Sequence, residues 1–499
     1  MRKLTRRAAG TLALIGCVTI AGCAVGPNYH RPPAANPQRF KEAEGWKPAE
    51  PREAASGTDW WSIYGDATLD SLEKQIDVSN QTLKASEAAW RQATALVSQA
   101  RAGLFPTIGV SATAARSGGS GGRANAATIG GQVAPLTHPV NEFELLGTAS
   151  WDLDIWGKIR RTIESDVANA QASEADLAAA RLSAQATLAS DYIQLRVADE
   201  QQQLLTKTVE GYQRSLDITQ NQYHVGVVAK VDVITAQTQL EGAQSQLIAI
   251  GVTRATLEHA IAVLIGKAPA DFSLPPAALG TTVPVIPSGV PSTLLERRPD
   301  VSAAERRMAA ANAQVGVAIA AYFPDLTLNG TYGFASNMVS GLVHASNNFW
   351  SVGGALNETL LDFGARPAQV RQARAAYDQT VANYRQTVLT AFEQIEDELA
   401  TLRILQQQVD VQEQTVKSAD LAVQLTLNQY RAGTVVYTAV VTAQAIALGD
   451  AQTLLTIRQN RLVASVALIQ ALGGGWDASS IGTSRGTAAT LAADTTRAQ

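Results

Sequence analysis

The segment Asn221-Gln222-Tyr223-His224-Val225-Gly226-Val227-Val228, running on to Val233-Ile234-Thr235-Ala236-Gln237, is met a second time. It returns as Asn428-Gln429-Tyr430-Arg431-Ala432-Gly433-Thr434-Val435, running on to Val440-Val441-Thr442-Ala443-Gln444. Roughly half of the paired positions are identical at an offset of about 207 residues, and self-similarity of this kind marks a repeated structural unit. The same offset sets Asp154-Ile155-Trp156-Gly157 against Leu361-Asp362-Phe363-Gly364. Upstream, Leu104-Phe105-Pro106 answers Tyr322-Phe323-Pro324 and Glu87 answers Glu305, at an offset of about 218. The first copy therefore carries one longer loop, by about 11 residues, between its Pro and its Gly. A chain of 499 residues would ordinarily suggest about three domains; the duplication predicts one elongated body of two similar halves.

Each half has the same order of patterns. Leu69 to Gly103 is helical in period, with Leu72, Ile76, Leu83 and Val97 on one stripe, and Pro106 stops it. In Thr107 to Ala114, Ile108, Val110, Ala112 and Ala114 alternate with Thr107, Gly109, Ser111 and Thr113, which is a strand with one apolar and one polar face. A Gly/Ser-rich loop, Ser117 to Gly122, precedes a second alternating run in which Leu145, Gly147, Ala149, Trp151 and Leu153 share a face. The second half repeats this with Leu326, Leu328, Tyr332 and Phe334, then Trp350, Val352, Gly354 and Leu356. Aromatics near the strand ends suit the interfacial belts of a membrane barrel, although hairpins of a soluble sandwich show the same alternation. Long helices follow, Lys158 to Tyr223 and Ala365 to Tyr430, free of interior Pro apart from Pro367 in a first turn. At 1.5 Å per residue each is a rod of about 100 Å. Each rod ends at a Gly turn, Gly226 or Gly433, and the chain returns as helix through Val231 to Ile265 or Val440 to Leu472. Tyr223 and Tyr430 are expected to pack beneath these turns.

The N-terminus reads as an export signal. Arg2, Lys3, Arg6 and Arg7 precede a short apolar run from Ala8 to Ala21, too short to span a bilayer. It ends in Ile20-Ala21-Gly22-Cys23, small residues before a Cys, as at the acylation site of bacterial lipoproteins; Leu14-Ile15-Gly16-Cys17 is a weaker match, and an ordinary leader with an incidental Cys is the plainer alternative. Cys23 is preferred, which leaves a single Cys in the mature chain and no intrachain disulfide. Val25, rather than Asp, follows at the second place after Cys23, which implies delivery to the outer membrane. The domain reading is signal peptide 1–22, lipidated Pro-rich tether 23–59, first repeat 60–268, crossover linker 269–293, second repeat 294–476 and a polar tail 477–499.

This export signal and the helical rods favour the membrane barrel. Four strands cannot close one, and lipid tolerates no open sheet edge. Copies must share it: two give eight strands, whose interior side chains fill, and three give twelve, wide enough for a lumen. The fold class is thus an α+β membrane protein, a trimeric twelve-stranded β-barrel with four strands per chain, continued by a long α-helical coiled-coil tunnel and built from a tandem internal repeat.

Three motifs in order carry a family resemblance. Cys23-Ala24-Val25-Gly26-Pro27-Asn28-Tyr29, then Leu294-Leu295-Glu296-Arg297-Arg298-Pro299-Asp300-Val301 with Ala304-Glu305 and Phe323-Pro324, then Ala471-Leu472-Gly473-Gly474-Gly475-Trp476 are similar to those of the TolC-like outer-membrane efflux lipoproteins, the OprM/NodT group. The resemblance spans Cys23 to Trp476. It implies a homotrimer in the outer membrane of a Gram-negative bacterium, lipid-anchored at Cys23 and reaching into the periplasm, with no other cofactor. It implies docking to a periplasmic membrane-fusion adaptor and an inner-membrane pump of the resistance-nodulation-division class. The adaptor-docking tips would comprise Gly226, Val228, Ala229, Lys230, Gly433, Val435, Val436 and Tyr437. Ala229 stands where the family commonly has Ser, Thr235 and Thr442 where it often has Asp, and Thr438 where a gating Leu is common. The gate candidates are Asp232, Thr235, Thr438 and Thr442, with Asp232 the nearest acidic residue.

Other functions find little support. A net charge of −4, more negative once the basic leader is removed, offers no footprint for nucleic acid. The histidines His30, His138, His224, His259 and His344 have no metal-ligand spacing. The stretch around Ser120 lacks the Lys and helix of a phosphate cradle. Arg297-Arg298-Pro299-Asp300 reads as a capped turn. The sequence therefore predicts a passive, gated exit duct for small molecules or drugs and no enzyme. The duct of a type I, ABC-driven secretion system is the alternative within the fold, and a lipid-anchored periplasmic coiled-coil scaffold is the alternative outside it.

Overall fold

The computed structural model describes residues 24–34, 37, 40–42, 59–118, 126–129, 132–135, 139–278 and 297–481. The leader, Cys23, most of the Pro-rich tether, His138, the loop around Ser120, the second half of the crossover with Leu294-Leu295-Glu296, and the tail beyond residue 481 lie outside the described residues.

The helices are α1 (Ala67–Ser79), α2 (Gln81–Ala102), α3 (Lys158–His224), α4 (Lys230–Leu264), α5 (Pro299–Ala320), α6 (Ala365–Arg431) and α7 (Tyr437–Ala471). The helix expected over Leu69 to Gly103 is two. Asn80 leaves the helix at φ −63°, ψ 121°, its backbone amide donates to the Ile76 carbonyl, and its side chain serves two other helix ends. Its Oδ1 accepts from the Leu83 amide at 3.0 Å, capping α2, and its Nδ2 donates to the Leu264 carbonyl at 2.7 Å, which closes the end of α4. An Asn that can satisfy orphaned groups at helix ends outcompetes continuation of the first helix. The last helix begins at Tyr437, earlier than the Val440 expected, because Val436 is the extended residue.

The strands are β1 (Thr107–Ser117), β2 (Ala126–Ile129), β3 (Gln132–Pro135), β4 (Val140–Leu153), β5 (Asp325–Ser336) and β6 (Asn348–Asn357). The pair β2–β3 occupies the loop by which the first repeat is longer. The others form one antiparallel sheet in the order β1-β4-β5-β6. Register decides what its faces are. Leu145 stands opposite Ala112 and Phe334, Gly147 opposite Val110 and Tyr332, and Tyr332 in turn opposite Trp350. Because successive side chains alternate, these apolar rows fall on one face of all four strands. Thr113, Glu144, Thr148, Ser150, Asn329, Thr331 and Ser351 share the other. The apolar face is not covered within the chain: Ile108, Val110, Trp350 and Val352 are 81, 78, 71 and 79% exposed. Both β1 and β6 end the sheet with an unpaired row of backbone groups.

The chain clusters into two compact units that cut across the repeats. The first holds the chain up to Pro32, Arg91–Ala170 and Arg306–Ala382. In it the segment from Ala24 runs extended over the starts of the helices. The Val25 amide donates to the Trp156 carbonyl at 3.0 Å. Arg161, 4% exposed, donates from Nε to the Val25 carbonyl and from Nη2 to the Gly26 carbonyl and Asn28 Oδ1 at 2.9 to 3.2 Å. Asn312 Nδ2 donates to the Pro27 carbonyl at 3.1 Å. A chain that cannot be helix, because Pro withholds its amides, is thus satisfied by side chains of both repeats.

The second unit holds Pro33–Trp90, Gln171–Glu305 and Asn383–Gln499. It contains an ionic cluster centred on the fully buried Asp199. Arg196 Nη1 and Arg254 Nε donate to that carboxylate at 2.9 and 2.8 Å, and the Ala277 amide at 3.1 Å. Arg196 also donates to the Pro275 carbonyl at 2.8 Å, so the buried charges pin the start of the crossover. Arg298 bonds both oxygens of Asp300 and the Ala471 carbonyl, closing the turn expected there. Two helices, α4 and α7, are long and apolar enough to cross a membrane by length and composition, with only 11 and 22% of their most apolar windows buried.

Candidate functional site

The hairpin turns joining α3 to α4 and α6 to α7 are the same device built twice. In the first, the Gly226 amide donates to the Tyr223 carbonyl at 2.9 Å and the Val227 amide to the Gln222 carbonyl at 2.8 Å. In the second, the Gly433 amide donates to the Tyr430 carbonyl at 2.9 Å and the Thr434 amide to the Gln429 carbonyl at 3.0 Å. These are the paired bonds of a Schellman cap, which needs a left-handed residue at the position after the helix. Gly226 and Gly433 supply it at φ 78° and 73°, with open space around both. Ala229 and Val436 then start the return helices in extended conformation without a side-chain cap.

Beneath the turns lies a cluster drawn from both repeats. Tyr212, Leu216, Ala236, Leu240 and Ala243 pack with Tyr430, Tyr437 and Val440, and Val228 and Val435 lie half-buried against them. The Tyr430 and Tyr437 rings are 5.3 Å apart at 59°. A polar layer runs through the cluster: Tyr430 Oη donates to Thr219 Oγ1 at 3.3 Å, Gln444 Nε2 to Ser215 Oγ at 3.2 Å, and Gln239 Nε2 to Gln444 Oε1 at 3.2 Å. Burial pushes the Tyr437 hydroxyl up to about 12, with Tyr430, Tyr212 and the Asp232 carboxylate adding to it. Burial raises Tyr430 and Tyr212 as well, and Asp232 adds to the shift at Tyr430.

Of the residues expected at the docking tips, Gly226, Ala229, Lys230, Gly433 and Val436 are exposed, and Val228 and Val435 are half-buried. Tyr437 is different: at 1% exposure it is inside the tip, held by the Tyr212 and Leu216 side, and presents no surface to a partner. Tyr430 packs beneath its turn at 4% exposure, whereas Tyr223 is 41% exposed, contrary to expectation. Among the gate candidates, Asp232 and Thr235 are half-buried and Thr438 and Thr442 exposed. Both Thr235 and Thr442 turn their hydroxyls back onto their own helix, to the Val231 and Thr438 carbonyls at 2.8 and 2.9 Å. The sequence reading missed Tyr212, Ser215, Thr219 and Gln239. The spacing of Tyr212, Ser215 and Thr219 by three and four residues along α3, which puts them on one helix face, is the signal that could have found the first three.

Comparison with known proteins places these features. The sequence profile described as "Outer membrane efflux protein" matches residues 72–267 and 290–474. The antibiotic efflux pump outer membrane protein ArpC of Pseudomonas putida is 28% identical over 459 residues, covering 92% of this chain and 93% of that protein. The cation efflux system protein CusC of Escherichia coli is 28% identical over 465 residues, covering 92 and 98%. Among solved structures, the outer-membrane channel OprN superposes with a TM-score of 0.83 at 29% identity, covering 91% of this chain and all of that one. CusC superposes with a TM-score of 0.79 at 26% identity, covering 90% of this chain. The architecture is that of the trimeric outer-membrane efflux channels, in which strands of each chain contribute to a barrel and the long helices to a tunnel. The chain belongs to the outer membrane efflux protein family, whose members are transport ducts of the outer membrane and not enzymes.

Proposed function

We propose that this protein is the exit duct of a tripartite efflux system: a homotrimer that passively conducts small molecules handed over by an inner-membrane pump of the resistance-nodulation-division class through a periplasmic adaptor. One observation carries the reading. The sheet has a continuous apolar face, a polar face and two unpaired edges, an arrangement that is unstable in water and incomplete in lipid until copies close it. Its apolar face then meets lipid, and the row of Thr113, Glu144, Thr148 and Thr331 lines a wet lumen. The exposed stripes on the helices agree with this: Val231, Ile234, Ile248 and Val252 of α4 lie within one face by helical spacing, as coiled-coil partners require.

The lipid belongs on Cys23, two residues before Val25, which Trp156 and Arg161 hold. The two repeats are 60–268 and 294–476, joined by the linker 269–293. Ala229, Lys230 and Val436, with the turns at Gly226 and Gly433, form the docking surface, and Asp232 with Thr235, Thr438 and Thr442 stand at the level of the gate. Cargo is set by the pump. Relatives at equal identity serve an antibiotic pump and a cation system. Of the two methionines beyond the leader, Met308 is buried and only Met338 is exposed, which argues against a thioether path for soft metal ions.

Photocrosslinking from Ala229 and Val436 in native membranes, with mass spectrometry of the captured proteins, tests the assignment. Capture of an adaptor that co-purifies with such a pump is expected. An ABC transporter with its adaptor would move the protein to type I secretion, and capture of neither would overturn the duct reading.

A further inference from the structure

In each repeat the last helix is tied to the start of the helix that leads into the sheet. In the first, Asn80 Nδ2 donates to the Leu264 carbonyl at 2.7 Å; in the second, Arg298 Nη1 donates to the Ala471 carbonyl at 3.2 Å. The repeat offsets of about 218 and about 207 residues make these pairs counterparts. Gly266 and Gly473, also counterparts, stand at φ 69° and 94° against the Ser79 and Arg297 carbonyls, where a Cβ has no room. Asp191 on α3 and Glu398 on α6 are a further matched pair. Both are half-buried, and neither has a hydrogen bond or an ion pair among the described residues. Burial pushes the Asp191 carboxyl up to about 6; burial, with Asp397 adding to it, raises Glu398 as well.

The two joints differ in their side chains. Val263 and Leu264 of the first are replaced by Gln470 and Ala471 in the second. Beside the second joint a cavity of 410 Å³ opens, walled by Ala179 and Leu182 of α3, Gln394 and Glu398 of α6, and Ala467 and Gln470 of α7. These positions lie three or four apart on their helices, so each helix turns one face to the space. Arg298 and Asp300 complete the wall, and they satisfy each other. Arg298 gives Nε and Nη2 to the two oxygens of Asp300, and Nη1 to Gln394 Oε1 and the Ala471 carbonyl, which occupies most of its N–H groups. Glu398 is thereby left as the unmatched charge of the wall among the described residues.

A carboxylate half-buried without a partner is relieved by a cation. A divalent metal would ask for several oxygen ligands, and no group of three or more His, Cys, Asp or Glu placed to hold one occurs among the described residues. An anion would meet Glu398 and Asp300. The alanines and Leu182 call for an apolar body, and the volume falls within the range of about 300–1,000 Å³ usual for small-molecule sites. We propose that this cavity binds a small organic amine in its protonated form, with the ammonium on Glu398 and the apolar body against Leu182, Ala179 and Ala467. Every group in the site belongs to one chain, so it is independent of the duct reading.

Calorimetric titration of the purified full-length protein in detergent tests the site. The ligands are phenethylammonium, phenethyl alcohol and phenylacetate, which share a body and carry positive, no and negative charge. Saturable binding of phenethylammonium is expected, with the alcohol and the carboxylate at least about tenfold weaker, as loss of a charge-assisted bond implies. Glu398→Gln keeps the shape of the side chain and should weaken phenethylammonium by a similar factor, while the same change at its counterpart, Asp191→Asn, should leave binding unaltered. Ala467→Leu fills the cavity without touching a charge and should abolish binding. Each variant is compared at unchanged native mass and far-ultraviolet circular dichroism. Absence of saturable binding by the parent, equal binding of the alcohol, or equal losses in Glu398→Gln and Asp191→Asn would overturn the assignment.

Discussion

The two hairpin tips share a turn and differ in what lies beneath it. Tyr223, Lys230 and Gln237 in the first correspond to Tyr430, Tyr437 and Gln444 in the second. The first three are exposed, and the second three are 4, 1 and 8% exposed. The turns agree because a Schellman cap is specified by a few local residues and one Gly. The faces disagree because burial depends on a receptacle, and only the first long helix has one. Tyr212, Ser215 and Leu216 of α3 receive the second hairpin, while their counterparts on α6 are the smaller Ala419, Ala422 and Val423. A duplicated motif therefore keeps its backbone and can still change its chemistry. Gln237 bonds Glu241 on its own exposed helix at 2.8 Å, whereas Gln444 reaches Ser215 across the cluster.

That contrast can be broken by substitution at matched positions. The largest effect expected is from Tyr437→Ala, which empties a fully buried aromatic site and should cost about 3–5 kcal/mol, as large core truncations do. Its counterpart Lys230→Ala should lie within about 0.5 kcal/mol of the parent, as exposed substitutions do. Denaturant unfolding followed by far-ultraviolet circular dichroism, at one protein concentration in one detergent, reads both; comparable losses would mean that the tips are alike after all.

Alkaline titration comes next. The Tyr437 proton is held up to about 12 in the folded protein, above the ordinary value near 10. The unfolded chain then loses its proton first, so stability is full below about pH 10 and falls as pH rises from there through about 12. Tyr437→Phe should flatten that decline relative to the parent; equal curves for parent and Tyr437→Phe would refute the assignment. Smaller, and equal at both tips, are the effects of Gly226→Ala and Gly433→Ala. No atom lies within 4 Å of either added Cβ, so only the positive φ opposes the change, at about 1 kcal/mol each. A marked inequality in the same unfolding assay would show that one turn makes contacts the other lacks. The smallest is Tyr430→Phe, about 0.5–1 kcal/mol for one hydrogen bond to Thr219, against no change for Tyr223→Phe in the same assay.

The strands and rods were legible because their signals are local. Alternation of Ile108, Val110 and Ala112 with Gly109, Ser111 and Thr113 places a strand whatever surrounds it, and the Gly226 and Gly433 turns end the rods within a residue of where the chain turns. The break at Asn80 was not legible, since its side chain is drawn from the helix by the Leu264 carbonyl, far away in sequence. Nor was the burial of Tyr437, for the motif that holds it is a copy of one that stays exposed. Glu73 is a third case. It lies fully buried on the stripe with Leu69, Leu72 and Ile76, where burial and Asp77 push its carboxyl up to about 9.

By itself the sequence determined the duplication, the order of strands and rods, the alternating faces and the family motifs, because periodicity, Gly and Pro act over a few residues. Only the tertiary structure decided which copy of a repeated face is buried, how the segment after Cys23 is seated by Arg161 and Asn312, and that β1 and β6 are left as the edges of one four-stranded sheet. Those outcomes depend on which distant surfaces meet, and two identical stretches of chain can meet different ones.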